Sequence, residues 1–283
     1  MKFGMNVLLW TGELNEGLLP ILERLKQIGY DGIEVPIFNL DLDYRQWGAR
    51  LNDLGLERTA VTIRTAEDNP ISPNATVRQR SIELTQKAID CCVDIGATHL
   101  VGPFHSALGE FSGQGPTTDE WNWGVDSLRP VAEYAGKAGV TLALECLNRF
   151  ETYLLNTHAD AVRFVEAIDH PNCQIMYDTF HANIEEKDEA AAVRAAGDWI
   201  AHVHISENDR STPGQGNVRW EETFDALREI NYDGWLTVEA FGLALPELAA
   251  ATKIWRRMYA TEDQLAAQAL TFMQQHVARR WAF

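Results

Sequence analysis

Positive charge is scarce in this sequence: 24 Lys and Arg stand against 41 Asp and Glu, a formal net charge of −17. A polyanionic partner needs a cationic stripe that displaces counterions, so nucleic-acid binding is excluded. Cysteine is sparse as well. The four present, Cys91, Cys92, Cys146 and Cys173, form no CxxC pair and no secreted-framework spacing, so reduced and mostly buried thiols are expected. No apolar run reaches the ~18 residues of a membrane span. The opening "MKFGMNVLLW" turns acidic too soon, at "TGELNEG", for a signal peptide. Neither GxGxxG after the first apolar run nor GxxxxGKS/T occurs, which removes the dinucleotide and P-loop fingerprints. These absences leave a cytoplasmic protein with no membrane and no nucleic-acid partner as the expectation.

What is present is a repeated unit. At 46% hydrophobic and 10% aromatic, the 283 residues can bury a sizeable core. Amphipathic segments end in a small-residue turn, and a short β-branched apolar run follows, as in "LERLKQIGYDGIEVPIF", "AIDCCVDIGATHLVGP" and "AEYAGKAGVTLALE". Gly29, Gly55, Gly96 and Gly139 stand where a helix C-terminus wants positive φ. The apolar runs rarely alternate, which is the mark of parallel strands covered on both faces. Strands are predicted near 2–9, 31–36, 58–63, 98–103, 140–145, 174–178, 200–205 and 235–239. Helix is expected near 245–258, and an extra terminal helix over 261–279. Eight βα units in a chain of this size predict a closed α/β (β/α)8 TIM barrel, a single domain over residues 1–283.

In such a barrel the working face is the C-terminal end of the strands. Strand five ends in Glu145, strand six ("QIMYD") in Asp178, strand seven ("AHVHIS") carries His204, and strand eight ("WLTVE") ends in Glu239. A lone strand-end Asp is commonly a helix cap, and a lone His commonly a core residue. Three converging carboxylates, however, repel one another in a low dielectric, and a divalent cation resolves the conflict. Three carboxylates and one imidazole suit a roughly octahedral ion, Mn²⁺ most naturally, with Co²⁺ or Mg²⁺ possible. His202, two residues earlier on the same face, is expected deeper, beneath the site. The Pro/Gly loop "STPGQGNVRW" after strand seven is either a phosphate cradle or a tight turn.

The blocks "LECLNRFE", "DTFHANIEE", "HISENDRSTPGQG" and "VEAF" resemble the ketose 3-epimerases, the family of D-tagatose 3-epimerase and D-psicose (allulose) 3-epimerase within the xylose isomerase-like TIM barrels. The resemblance implies a metal held by Glu145, Asp178, His204 and Glu239, with Glu145 and Glu239 doubling as the acid/base pair. It further implies that Glu151, His181 and Arg210 hold the O1–O3 end of a small sugar. The metal would be Mn²⁺ or Co²⁺, and the assembly a homodimer or homotetramer. The chemistry agrees. A cation on neighbouring oxygens stabilises an enediolate, and inversion of C3 in a ketose then needs a base on one face and an acid on the other.

Departures bear on the substrate. Asn6 stands where the family tends to place an aromatic, and Arg64 and His105 make the far end of the pocket polar and basic. Either the substrate carries a distal polar or anionic group, or Arg64 pairs with an acid such as Glu34 or Glu67. A hydroxypyruvate isomerase-like aldose–ketose isomerase and an epimerase acting on a sugar acid or phosphate remain alternatives, as does a non-catalytic sugar-binding barrel. An AP-endonuclease reading fails for want of further His ligands and a basic groove. The aromatic C-terminal region, with Trp255, Tyr259, Trp281 and Phe283, is expected to pack in the core and partly against another subunit.

Overall fold

A computed structural model describes residues 1–281; the expectation for Phe283 lies outside them. The strands are β1 (Lys2–Asn6), β2 (Gly32–Pro36), β3 (Glu57–Val61), β4 (His99–Gly102), β5 (Thr141–Glu145), β6 (Cys173–Asp178), β7 (Ile200–Ile205) and β8 (Trp235–Val238). They pair in parallel, in sequence order, and β1 closes on β8 with Met5 opposite Val238. Helices cover the outside: α1 (Leu19–Ile28), α2 (Tyr44–Leu54), α3 (Ala75–Ile95), α4 (Thr118–Ala138) and α5 (His158–Ile168). After β6 come α6 (Thr179–Glu185) and α7 (Glu189–Ala196), then α8 (Trp220–Glu229), α9 (Pro246–Ala251) and the added α10 (Glu262–Trp281).

Local chemistry sets the helix ends. Asp43, Asn74 and Thr157 accept a backbone N–H at the starts of α2, α3 and α5, and Thr117 with Glu120 forms a reciprocal capping box on α4. Gly29, Gly55, Gly96 and Gly139 close α1 to α4 in the left-handed conformation. Two expected spans shrink. The first strand stops at Asn6, because the Asn6 side chain accepts from Leu8 N and curls Val7–Leu9 into a 3₁₀ turn. The helix expected over 245–258 ends at Ala251; Lys253 adopts positive φ (61°) and Ile254 N returns to Ala249 O, a C-terminal turn made without glycine.

Alternate strand residues face outward into the helix layer, among them Ile33, Val35, Leu142, Leu144, Ile175, Tyr177, Val203 and Leu236, all fully buried. The inward set is mixed. Val61, Val101, Ala143 and Met176 form a small apolar cluster with Leu8 and Phe241, while β1, β2, β7 and β8 turn Asn6, Glu34, His202, His204 and Thr237 into the interior, all at most 1% exposed.

One irregularity aims the site. Between β6 and β7 the register shifts after Ile175↔Ile200, so that Met176 pairs with His202 and Asp178 with His204. An unshifted ladder would set Val203 beside Asp178 and turn both histidines to the outer face, since side chains alternate strictly. At the end of β4, Gly102 holds φ at 117°, and a Cβ there would lie 2.4 Å from the Thr62 carbonyl oxygen. We expect Gly102→Ala to lose about 2–4 kcal/mol through backbone strain and collision, read as a lower urea midpoint at unchanged slope; a loss below about 0.5 kcal/mol contradicts this packing.

Candidate active site at the barrel mouth

Glu145 ends β5, and Asp178 ends β6 while starting α6. Asp178 Oδ1 accepts the N–H groups of Phe180 (2.6 Å) and His181 (3.3 Å), which leaves Oδ2 to face the interior. The helix-cap explanation of this residue therefore accounts for one oxygen only and leaves the other free for the cluster. Glu239 follows β8 directly, with its N–H on Ile205 O. One ligand atom from each of Glu145, Asp178, His204 and Glu239 lies within 4.8 Å of all the others. All four residues are at most 5% exposed.

The charges in this space are unbalanced. Burial, then repulsion from Glu239 and Asp178, pushes the Glu145 carboxyl well above its ordinary range. Burial acts upward on Glu239 too, but Arg210 and His204 outweigh it and hold that carboxyl down. Asp178 is likewise held down against burial, by His204 and Arg210. Burial works against a charged His204, yet Glu34, Glu239 and Asp178 raise its imidazole well above the usual value. The cluster thus draws in positive charge. His204 Nδ1 has no hydrogen-bond partner and lies 3.4 Å from Asp178 Oδ2 and 3.5 Å from Glu239 Oε1. An unpartnered buried nitrogen facing buried carboxylates, with no thiolate in the set, fits a divalent cation of the harder type.

Arg210 and His181 complete the wall. Arg210 is 4% exposed and sits at positive φ (64°). Its Nη1 bonds Glu239 Oε2 and Ser206 Oγ (3.0 Å), and its guanidinium lies between the rings of Phe180 (3.7 Å) and Phe241 (4.9 Å). His181 Nδ1 accepts the Asn148 backbone N–H at 2.9 Å, and its Nε2 lies 3.0 Å from Arg210 Nη2 and 3.5 Å from Glu145 Oε1. Burial, first among its influences, lowers that imidazole to about 3. Asn148 also donates through Nδ2 to Glu151 (2.8 Å), tying the half-exposed Glu151 to this wall.

Other expectations change. Arg64 follows β3 rather than ending it; Nη1 pairs with Asp68 at 2.8 Å and Nη2 bonds Thr62 Oγ1 at 2.8 Å. Its acid is thus Asp68, not Glu34 or Glu67; Glu67 lies 3.7 Å from Arg80 instead. A cavity of 320 Å³ adjoins this pair, lined in part by Phe38, Arg64 and Arg80 and by none of the four clustered residues. His105 is fully buried, with Nε2 on the Glu145 backbone oxygen (2.8 Å) and Nδ1 on the Ser106 hydroxyl (3.0 Å), so both ring nitrogens are engaged by the protein. Asn6 Nδ2 donates to Glu34 (3.0 Å) and approaches Glu239 (3.5 Å). The Gly-rich loop is not a phosphate cradle: the N–H groups of Gly214 (2.8 Å) and Val218 (3.1 Å) and Trp220 Nε1 (3.0 Å) all donate to the buried Glu207. His202 lies beneath the cluster, its Nε2 2.9 Å from Glu34 Oε2. Glu34 itself was hidden in sequence, although an acid inside the apolar run "GIEVP" is the same signal that marks Glu145.

The model of the family described as xylose isomerase-like TIM barrel matches residues 22–275. L-ribulose 3-epimerase of Methylomonas sp. (strain DH-1) is 31% identical over 97% of each chain. The chain belongs to the ketose 3-epimerase family of xylose isomerase-like TIM barrels. D-psicose 3-epimerase of Ruminiclostridium cellulolyticum is 32% identical, over 90% of this chain and 89% of that one. A solved structure of L-ribulose 3-epimerase superposes with a TM-score of 0.94 at 34% identity, covering 99% of this chain and 96% of that chain. Like these epimerases, the chain is an isomerase-class enzyme. Among the described residues, no helix is long and apolar enough to cross a membrane.

The raised groups give the metal-free protein a definite pH dependence. His204, raised from about 6.5, contributes stability that is fully present below that value and lost as pH climbs through its folded value. Glu145, a raised acid, also loses stability with rising pH. Asp178 and Glu239 contribute once pH exceeds their unfolded values near 4, so they change little above pH 6. The melting temperature of chelator-treated protein should therefore fall as pH rises above roughly 6.5, and Mn²⁺ should flatten the curve. A melting temperature that rises over this range contradicts the electrostatics described.

Proposed function

We propose that this enzyme inverts C3 of a ketose of the D-tagatose, D-psicose or L-ribulose type through a cis-enediolate, with a divalent cation held by Glu145, Asp178, His204 and Glu239. The observation that carries the proposal is the convergence of three buried carboxylates and one unpartnered imidazole nitrogen within 4.8 Å. The cation, Mn²⁺ by preference with Co²⁺ or Mg²⁺ as substitutes, supplies Lewis acidity that stabilises charge developing on adjacent sugar oxygens.

The chain's own groups do the rest. Glu145 and Glu239 arise from strands three places apart in the ring and flank the sugar. One carboxylate removes the C3 proton, the electron pair moves toward O2, and the other carboxyl returns a proton to C3 on the opposite face. The roles exchange for the reverse reaction. Glu151, His181 and Arg210 bind the O1–O3 end: the neutral His181 ring offers a hydrogen-bonding nitrogen, Arg210 fixed positive charge, and Glu151 a hydroxyl acceptor. Phe180 and Phe241, packed on Arg210, keep that guanidinium from swinging and keep water out. The exposed Trp255 (72%) and Phe150 (74%) fit a subunit contact in a homodimer or homotetramer.

Chelator-treated enzyme should lose turnover of D-psicose, D-tagatose or L-ribulose and regain it with Mn²⁺. Glu145→Gln and Glu239→Gln should each lower kcat by roughly 10²–10⁴. In D₂O, deuterium should enter C3 of the ketose. Entry at C1 or C2 instead would make the enzyme an aldose–ketose isomerase, and full turnover after exhaustive demetallation would refute the metal altogether.

A further inference from the structure

Beneath the mouth, Glu34 is fully buried at the centre of the barrel. Four side chains from three other strands converge on its carboxylate. Oε1 receives Asn6 Nδ2 of β1 (3.0 Å) and His204 Nε2 of β7 (2.7 Å); Oε2 receives Thr59 Oγ1 of β3 (2.9 Å) and lies 2.9 Å from His202 Nε2 of β7. A carboxylate has about four lone-pair positions; three side chains donate here, and His202 Nε2 stands close by without completing a fourth hydrogen bond. Such a carboxylate cannot turn, and it only accepts. His204 Nε2 must therefore carry a proton, so Nδ1, which faces Asp178 Oδ2 and Glu239 Oε1, is the nitrogen whose lone pair becomes available when a cation displaces its proton.

We propose that Glu34 is a positioning residue that fixes the tautomer and tilt of His204 and raises the donor strength of Nδ1, so that metal affinity is set from the layer below the ligands. The proposal rests on the metal reading given above. Asn6 and Thr59 belong to the same device: they hold Glu34 rather than touch the sugar. Asn6 thereby gains a role that its place at the pocket floor did not reveal.

The test is Co²⁺ titration of metal-free protein, followed by calorimetry and by the visible absorption of bound Co²⁺, with the fold of each metal-free variant checked by circular dichroism. Wild type should bind one ion per chain, and Asp178→Ala should abolish binding. Glu34→Gln keeps an acceptor for His204 but loses the charge, and should weaken Co²⁺ binding roughly 10-fold; Glu34→Ala should weaken it roughly 100-fold. The absorption of saturated Glu34→Gln should shift in position, which a purely structural role would not produce. Should Glu34→Ala fail to fold, Glu34→Gln decides. Wild-type affinity and an unshifted spectrum in Glu34→Gln overturn the positioning role while leaving the metal site standing; no Co²⁺ binding by wild type overturns both.

Discussion

Repulsion among buried carboxylates is the constraint around which this molecule is arranged. At about 4 Å two like charges repel by roughly 4 kcal/mol even at an effective dielectric of 20, and Glu145, Asp178 and Glu239 share a space of that order. Arg210 and His204 answer part of the charge, and both are held in costly states. Arg210 keeps a left-handed backbone and a buried guanidinium, conditions worth of order 1–3 kcal/mol in strain. His204 is gripped from below by Glu34 and left unpartnered above. Natural chains retain such arrangements where the unsatisfied remainder is useful, and the cation proposed above would use it.

Economy of parts recurs around that constraint. Asp178 caps α6 with one oxygen and serves the cluster with the other. His105 holds the Glu145 carbonyl with one nitrogen and the Ser106 hydroxyl with the other, bracing the strand end that delivers Glu145. The register shift between β6 and β7 turns two histidines inward at the point where one must meet Asp178. In each case backbone hydrogen bonding, which any fold must satisfy, has been assigned to a residue whose remaining atoms face the reaction.

Much of this was legible in the chain. Polar residues ending apolar runs identify the mouth, because strand periodicity fixes which side they face and the barrel fixes which end matters. Helix stops marked by glycine were equally plain, whereas the stop of α9 at Ala251 was not, since Lys253 supplies the positive φ without glycine's signature. Glu34 escaped for a different reason: its meaning depends on partners from β1, β3 and β7 that no local pattern brings together. Arg64 does pair with an acid, but a different one from the two that were expected. Its acid, Asp68, lies four residues away in a turn that also holds Thr65, and the fold of that turn, not distance along the chain, chose Asp68 over its neighbour Glu67.

The interior of the barrel is divided. Under β3 to β6 it is filled by Val61, Val101, Ala143 and Met176; under β7, β8, β1 and β2 it holds histidine, threonine, asparagine and glutamate, almost wholly buried. An all-aliphatic interior would be easier to stabilise, because every buried polar group must first recover its lost hydration. The outer apolar layer against the helices carries stability instead, which frees one half of the interior to be polar. The apolar half then serves the polar half: a wall that cannot hydrogen-bond or polarise strengthens the fields of the charges it faces. Placing the buried polar network along one side, rather than around the whole ring, gives the interior a direction, with the clustered acids and imidazole at the ends of β5 to β8.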